Sequence, residues 1–521
     1  MPKDKTPGDK RTAQRLEQRW QVLCERYLPL SAKGSIWRYH RAYNRQEPTQ
    51  GWKLHVSATV LNACKVLERV APFLIARSVN FKAPRSLAEL MKINSGLYYG
   101  YSQIGKFITV YTRTPAEAVS LARELHRMTR RLAAPSVPFD QQYGEAGNLY
   151  YRFGAFQHYE IEQADGVRML AIQDPGGNLV PDMRVSQKAR PDWVSDPFEG
   201  AQPRAPRSKP QRPLAKSFRV LRALVQRGKG GVYQAVDMRT QPPRLCLVKE
   251  GRRHGELTWD GRDGFWRVRN EERVISQLLA QGVDAPRIYS SFEMEGNYYL
   301  VTEFISGESL HHQLLRFRRR MPLARVLSYG IQLSAIFRRI HAAGWVWRDC
   351  KPVNILVTPE GRLRSLDFEG ACPAHEPDPN FWGTPGFMPP GGRDLYARTC
   401  THDDLYALGS MLYLLLTGRV PEAAAPQAIE KLRRNVPAIV RALVMRLLSH
   451  APDMRPTAHI VERELEAALS FCATGKKSRP RAAVLQSKIQ DTFGRPRRRG
   501  FEQGALGRTG AAQRPIAVTE G

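Results

Sequence analysis

Two groups of residues in this sequence have the types and spacing of phosphate chemistry. In the second half, Lys249 ends the apolar run Cys246-Leu247-Val248-Lys249, and the helical stretch Asn270-Glu271-Glu272-Arg273-Val274-Ile275 offers Glu271 as its partner, with Glu272 as the fallback. Trp347-Arg348-Asp349-Cys350-Lys351-Pro352-Val353-Asn354 follows, and thirteen residues after Asn354 stands Asp367 in Leu366-Asp367-Phe368-Glu369. Phosphoryl transfer needs a phosphate cover, a lysine held by a helix glutamate, a group that aligns the attacking hydroxyl, and metal ligands. In the first half, Lys53, His55, Lys82, Lys106 and Arg152 recur within apolar, strand-like segments. Alternation along a strand puts Lys53, His55 and Ser57 on one face, with Leu54 and Val56 on the other. Removing phosphate from a carbon chain by β-elimination needs a base for a carbon-bound proton, an acid at the leaving oxygen, and several cations. Any one of these residues alone reads better as a solvated strand-edge lysine or a satisfied core histidine. The set does not.

The elements that must position these residues fall into two units. Strand-like alternation marks Trp52–Ser57, Lys106–Tyr111 and Tyr150–Phe153. Helical spacing joins Val60, Leu61, Val66, Leu67, Val70 and Leu74. A second helix opens at Thr114, with Pro115 in its first turn and Glu117 three residues on, and continues toward Arg131. A Pro/Arg/Lys-rich stretch from Gln202 to Lys216 reads as a linker. Beyond it come strands at Phe218–Val225, Gly231–Val236 and Leu245–Lys249, a helix at Arg269–Leu279, a strand at Tyr298–Glu303, and mostly helix to Phe471. Cys472–Gly521 carries eleven Lys/Arg against three acids and reads as a basic disordered tail. The expected organisation is an extension over 1–19, a mixed α/β domain over 20–201, a linker over 202–216, a second domain over 217–471 and a tail over 472–521. The class is α+β.

The second unit resembles a two-lobed protein kinase. The resemblance makes Asp349 the residue that accepts or aligns the hydroxyl proton, Lys351 a γ-phosphate contact, and Asn354 and Asp367 the Mg²⁺ ligands. Tyr299-Leu300-Val301-Thr302-Glu303-Phe304-Ile305 is similar to the hinge, whose backbone would hold adenine near Thr302 and Ile305. The phosphate cover, Val225-Gln226-Arg227-Gly228-Lys229-Gly230-Gly231-Val232, keeps Gly230 and Val232 but has Val225 and Arg227 where glycines are usual. Its backbone is expected to approach phosphate more loosely, or Arg227 to touch phosphate directly. Trp347 replaces a histidine, Glu369 a glycine, and Gly391 the glutamate that pairs a late arginine, which leaves Arg455 without its usual partner.

The first unit resembles the phosphoserine/phosphothreonine lyase domain at the front of class III lanthipeptide synthetases. The segments that carry this are Gly51–Ala58, Asn80-Phe81-Lys82, Asn94-Ser95, Gly105–Tyr111 and Leu149–Gly154, together with Pro191–Phe198 ahead of the linker. The resemblance implies Lys82 as base, His55 as the acid that protonates leaving phosphate, and Lys53, Lys106 and Arg152 as a phosphate clamp with Tyr151 nearby. A lysine with a pKa near roughly 10.4 is protonated at neutral pH. Lys82 therefore needs burial or neighbouring cations to serve as base, and Lys53 and Lys106 are placed to help. Tyr101 stands where an arginine is expected, with Arg184 as its replacement. Taken together, the resemblances imply a bifunctional dehydratase of a precursor peptide with a leader, using ATP (or GTP) and Mg²⁺. No cyclase follows the kinase-like unit, so a separate protein would close any rings.

Composition narrows the alternatives. The chain has 521 residues, 42% of them hydrophobic, with 80 Lys+Arg against 49 Asp+Glu for a net charge of +31. That is globular composition with a field that attracts polyanions. Seven scattered cysteines, without CxxC spacing, fit a reducing cytoplasm and no structural zinc. No apolar run approaches the roughly 20 residues of a membrane span. An ordinary Ser/Thr kinase with a regulatory front domain, or a basic scaffold for acidic peptide or nucleic acid, are the competing readings. The Lys/His/Arg series argues against the first, and only the net charge and Arg497-Arg498-Arg499 favour the second.

Overall fold

The computed structural model describes residues 8–474, apart from 43–46, 145–146, 164–165, 185–188, 201–216, 318–320, 377, 379–381, 391–399 and 423–425. The expected linker, Gly391 and nearly all of the expected tail lie outside the described residues. The last helix, Ala458–Thr474, runs past the expected tail boundary at Cys472. The expected extension is also shorter than its 19 residues, because helix α1 (Gly8–Tyr27) begins within it, and Trp20 is fully buried in the first core.

In the first unit, β1 (Leu30–Ser31), β2 (Trp37–His40), β3 (Gln50–Val56), β4 (Asn80–Pro84), β5 (Ile108–Tyr111), β6 (Gln141–Gln142) and β7 (Leu149–Ala155) form an antiparallel sheet. Among the described residues its order is β1-β2-β4-β5-β3-β7-β6. The apolar positions of the alternation, including Leu54, Val56, Phe81, Val110 and Leu149, share one core with α2 (Ala63–Ala76) and α4 (Pro115–Thr129). Helix α4 starts where its cap predicts, since the Thr114 hydroxyl accepts from Glu117 N–H at 3.1 Å. The Glu117 carboxylate reaches Arg113 N–H rather than that of Thr114, so the reciprocal half of the capping box is displaced by one residue. Helix α3 (Leu87–Ser95) and strands β8 (Glu160–Glu162), β9 (Arg168–Gln173) and β10 (Leu179–Pro181) add elements that the sequence pattern did not announce.

The second unit opens with β11 (Phe218–Arg227), β12 (Gly230–Asp237), β13 (Arg244–Gly251), β14 (Ile288–Met294) and β15 (Asn297–Glu303), ordered β11-β12-β13-β15-β14 among the described residues. Helix α5 (Gly264–Ala280) packs on this sheet, its start capped by the Asp263 side chain. A helical lobe follows, built around Leu323–Ala342, Thr401–Thr417 and Ala438–Leu447.

The two units were expected to be separate folded units joined by the linker over 202–216. They touch directly: Gly228 N–H donates to Ser95 O at 2.9 Å, and the Arg252 guanidinium lies 5.4 Å from the centre of the Tyr101 ring.

Candidate functional site

Cross-strand register builds the first site. His55 on β3 pairs with Thr109 on β5, which pairs with Lys82 on β4, while Lys53 pairs with Arg152 on β7. These residues share the face opposite the core, and with strands roughly 4.8 Å apart their side chains converge over two or three strands. Together with Lys106, Gln103, Asp182 and Arg184 they line a cavity of about 250 Å³. Gly105 makes the turn into Lys106: its φ is +74°, and a Cβ there would stand 2.9 Å from both Ser57 Oγ and Val137 Cγ2.

Burial first, and neighbouring cations second, depress the lysines. Lys82 is lowered to about 8 by burial and Lys106, and Lys53 to about 7 by burial, Lys82 and Arg152. Lys106 is lowered to about 8 by burial, against the pull of Asp140. The Lys82 ammonium lies 4.5 Å from the centre of the Trp37 ring, and burial beside Lys106 leaves a fraction of it as the free amine near neutral pH.

Sequence reasoning missed Asp140. Its Oδ2 lies 2.5 Å from His55 Nδ1 and its Oδ1 lies 3.1 Å from Lys106 Nζ, all three groups being buried. Burial takes the His55 pKa down to about 3 in spite of this carboxylate, and the two partners hold Asp140 ionised. With Nδ1 on Asp140, any proton that His55 delivers to a ligand must leave from Nε2. A single aspartate on the loop ahead of β6 carries no periodic signal, and next to Pro138 and Phe139 it reads as a turn residue. If this cavity eliminates phosphate, Asp140→Asn should lower that rate by about 10²-fold, the range of one acid–base group. Release of phosphate from a phosphoserine peptide measures it.

Tyr151, expected beside the clamp, is corrected by the same alternation. It sits opposite Leu54 on the core face, donating to Asp196 Oδ2 at 3.2 Å, with its ring 3.9 Å from that of Phe198. Arg184 does reach the cavity, where it donates to Ser102 Oγ at 2.9 Å. Asp182, singled out by no sequence signal, pairs with Arg152 at 2.5 Å and with Arg184 at 3.6 Å.

The second site assembles at the junction of its two lobes. Lys249 Nζ donates to Glu271 Oε1 at 2.6 Å and lies 3.5 Å from Asp367. The fallback, Glu272, accepts instead from Ser291 and Tyr298. Burial opposes the charge on Lys249, but Glu271 and Asp367 outweigh it and raise its pKa. Lys351 Nζ donates to Asp349 Oδ2 at 2.8 Å, and Thr384 Oγ1 donates to Asp349 Oδ1 at 2.8 Å. Asn354 Nδ2 donates to Asp349 O at 2.9 Å, which leaves its amide oxygen as the atom suited to a cation. Glu271 Oε2 is buried with no hydrogen-bond partner, and this donor set around Asp367 suits a divalent cation with a polyphosphate. Thr302 is buried near the end of β15, with Ile305 two residues beyond the strand.

The departures from the kinase pattern have structural substitutes. Trp347 is buried with its ring 5.5 Å from that of Phe368, and its Nε1 donates to Asp367 O at 3.1 Å. Arg455, expected to lack its usual glutamate partner, is buried and donates to His402 O at 2.8 Å and Ser449 O at 2.9 Å. In the phosphate cover, Val232 pairs with Val225 and Gly230 with Arg227.

Comparison with known proteins agrees with both halves. The family described as "RamC, N-terminal domain" matches residues 28–210, and the protein kinase domain family matches residues 226–480. A "Probable SapB synthase" of Streptomyces coelicolor is 31% identical over 383 residues, covering 70% of this chain and 40% of that protein. Serine/threonine-protein kinase F of Synechocystis is 29% identical over 232 residues, or 40% of this chain and 45% of the relative. Serine/threonine-protein kinase PknA of Mycobacterium tuberculosis is 30% identical over 265 residues, or 46% of this chain and 58% of the relative. The chain thus spans roughly half the length of these curated relatives, between 40% and 58%. Among the described residues no helix is long and apolar enough to cross a membrane. Residues 28–210 are thus similar to a RamC N-terminal domain and residues 226–480 to a protein kinase domain, in that order along one chain.

Proposed function

We propose that this chain is a bifunctional peptide dehydratase: its kinase domain phosphorylates Ser/Thr residues of a precursor peptide, and its first domain eliminates the phosphate. The products are dehydroalanine and dehydrobutyrine. The observation that carries the reading is the cavity in which Lys53, His55, Lys82, Lys106 and Arg152 converge. A regulatory front domain has no need of three lysines with depressed pKa values around one polar cavity. The likeness to a protein named as a SapB synthase supports a peptide substrate with a leader and the lanthipeptide class. Cytoplasmic location belongs to the same proposal.

In the kinase domain, Asp349 aligns the peptide hydroxyl, Lys351 and Lys249 meet phosphate, and Glu271 holds Lys249. Gly230 and Val232 cover the phosphates, while the backbone near Thr302 and Ile305 takes the base. ATP or GTP supplies the phosphoryl group, and Mg²⁺ would be held by Asn354 and Asp367. In the first domain Lys53, Lys106, Arg152 and Arg184 hold the phosphate. The free amine of Lys82 takes the α-proton, and the C–H electron pair becomes the second Cα–Cβ bond. The Cβ–O bond breaks and phosphate leaves with its electron pair, accepting a proton from His55 Nε2. The incoming dianion favours that extra proton on His55, whose Nδ1 already rests on Asp140.

A synthetic phosphoserine peptide incubated without nucleotide tests the elimination half alone. Inorganic phosphate and an alkene-containing peptide are expected; an intact phosphopeptide would leave only the kinase half standing. Lys82 must lose its proton to act while the phosphate-holding Lys53 must keep its own, so kcat/KM for elimination should pass through a maximum between about 7 and 8, Lys82 setting the rising limb and Lys53 the falling one. A profile flat between pH 6 and roughly 9 would remove Lys82 as the base.

A further inference from the structure

The hairpin over the nucleotide site has its backbone committed elsewhere. Arg227 pairs with Gly230, leaving Gly228 and Lys229 as its turn. Gly228 N–H is spent on Ser95 O of the first domain at 2.9 Å, and Lys229 O accepts from Arg252 N–H at 2.8 Å. The fit is close on every side: a Cβ on Gly228 would fall 1.7 Å from Asn94 O, and one on Gly264 would fall 1.7 Å from Lys229 O. Protein kinases cover phosphates with glycine-rich backbone. Here one turn amide is already bonded, and Val225 and Arg227 stand where glycines would allow close approach.

The Lys229 side chain runs the other way, into the site. Its ammonium forms an ion pair with the Glu369 carboxylate, two residues beyond Asp367. Asp367 is held ionised, against burial, by Lys249, Lys229 and Lys351 together. Two of these lysines rest on carboxylates of the kinase machinery, Lys249 on Glu271 at 2.6 Å and Lys351 on Asp349 at 2.8 Å. Lys229 is the third, and the sequence pattern of the cover assigned it no task.

Resting on the kinase reading of this domain, we infer that Lys229 binds the terminal phosphates of the nucleotide, in place of the turn amide that the first domain occupies. Glu369 is the carboxylate on which the lysine waits when no nucleotide is bound. Phosphate then replaces Glu369 as the partner of the same ammonium, with the hairpin backbone staying where the first domain holds it.

Calorimetric titration of the full chain with a non-hydrolysable ATP analogue, and separately with adenosine, tests this. Lys229→Met should weaken the analogue by about ten-fold or more, the size of one charged hydrogen bond, and leave adenosine binding unchanged. Lys229→Arg should retain most of the affinity. Glu369→Gln frees the lysine and should bind the analogue at least as tightly as the parent chain. Thermal melting of each variant identifies any that fails to fold, and Lys229→Arg then carries the comparison. Parental affinity in Lys229→Met, or equal losses in Lys229→Met and Glu369→Gln, would make the pair a structural bridge and overturn the inference. Absence of analogue binding by the parent chain would overturn the kinase reading itself, and this inference with it.

Discussion

Lys82→Ala should turn an enzyme that dehydrates its peptide into one that stops at the phosphopeptide. The loss in elimination should be about 10²–10⁴-fold, the contribution of a positioned base. Phosphorylation should stay within about two-fold of the parent rate, since Lys82 on β4 packs beneath Trp37, whereas the contact between the domains runs through Ser95 and Tyr101. His55→Ala should be milder, because the cations around the cavity still stabilise the departing phosphate. Mass spectrometry of the peptide over time separates the outcomes. Dehydration by Lys82→Ala at the parental rate would remove Lys82 from the mechanism, and unmodified peptide would mean that the domain contact couples the two sites.

Asp367→Asn should abolish every modification of a non-phosphorylated peptide. The carboxylate is kept ionised by three lysines and shares one of them, Lys249, with Glu271, so its loss removes charge from the position best suited to a cation. Metal-dependent charge neutralisation is worth several kcal/mol, so phosphorylation should fall by at least about 10³-fold. Asp349→Asn should also stop phosphorylation. Both variants should still release phosphate from a synthetic phosphoserine peptide, because the first cavity contains neither residue. Persistent dehydration by Asp367→Asn would refute the assignment of this carboxylate.

What could be read from the sequence followed from period and order. Alternation placed Lys53 and His55 on one face of β3, and the structure keeps them there; the same alternation, applied to β7, separates Tyr151 from Arg152. The kinase segments were legible because each lies at a fixed distance from the next along a chain whose elements are regular. Asp140 and Asp182 were not legible, because both sit on loops, where no period links a residue to the face it joins. What Arg455 bonds in place of its usual glutamate was illegible for a related reason. Its partners are backbone carbonyls of His402 and Ser449, which any sequence supplies and none advertises. The contact between Gly228 and Ser95 was hidden similarly, being a bond between two main chains.

The most direct test of the central claim is the mass of a Ser/Thr-containing precursor peptide, encoded beside this gene, after incubation with the parent chain, nucleotide and Mg²⁺. Loss of one water per modified residue, with a phosphorylated species appearing only transiently, is the predicted result. Stable gain of phosphate without water loss would contradict the account and leave a protein kinase with a non-catalytic front domain.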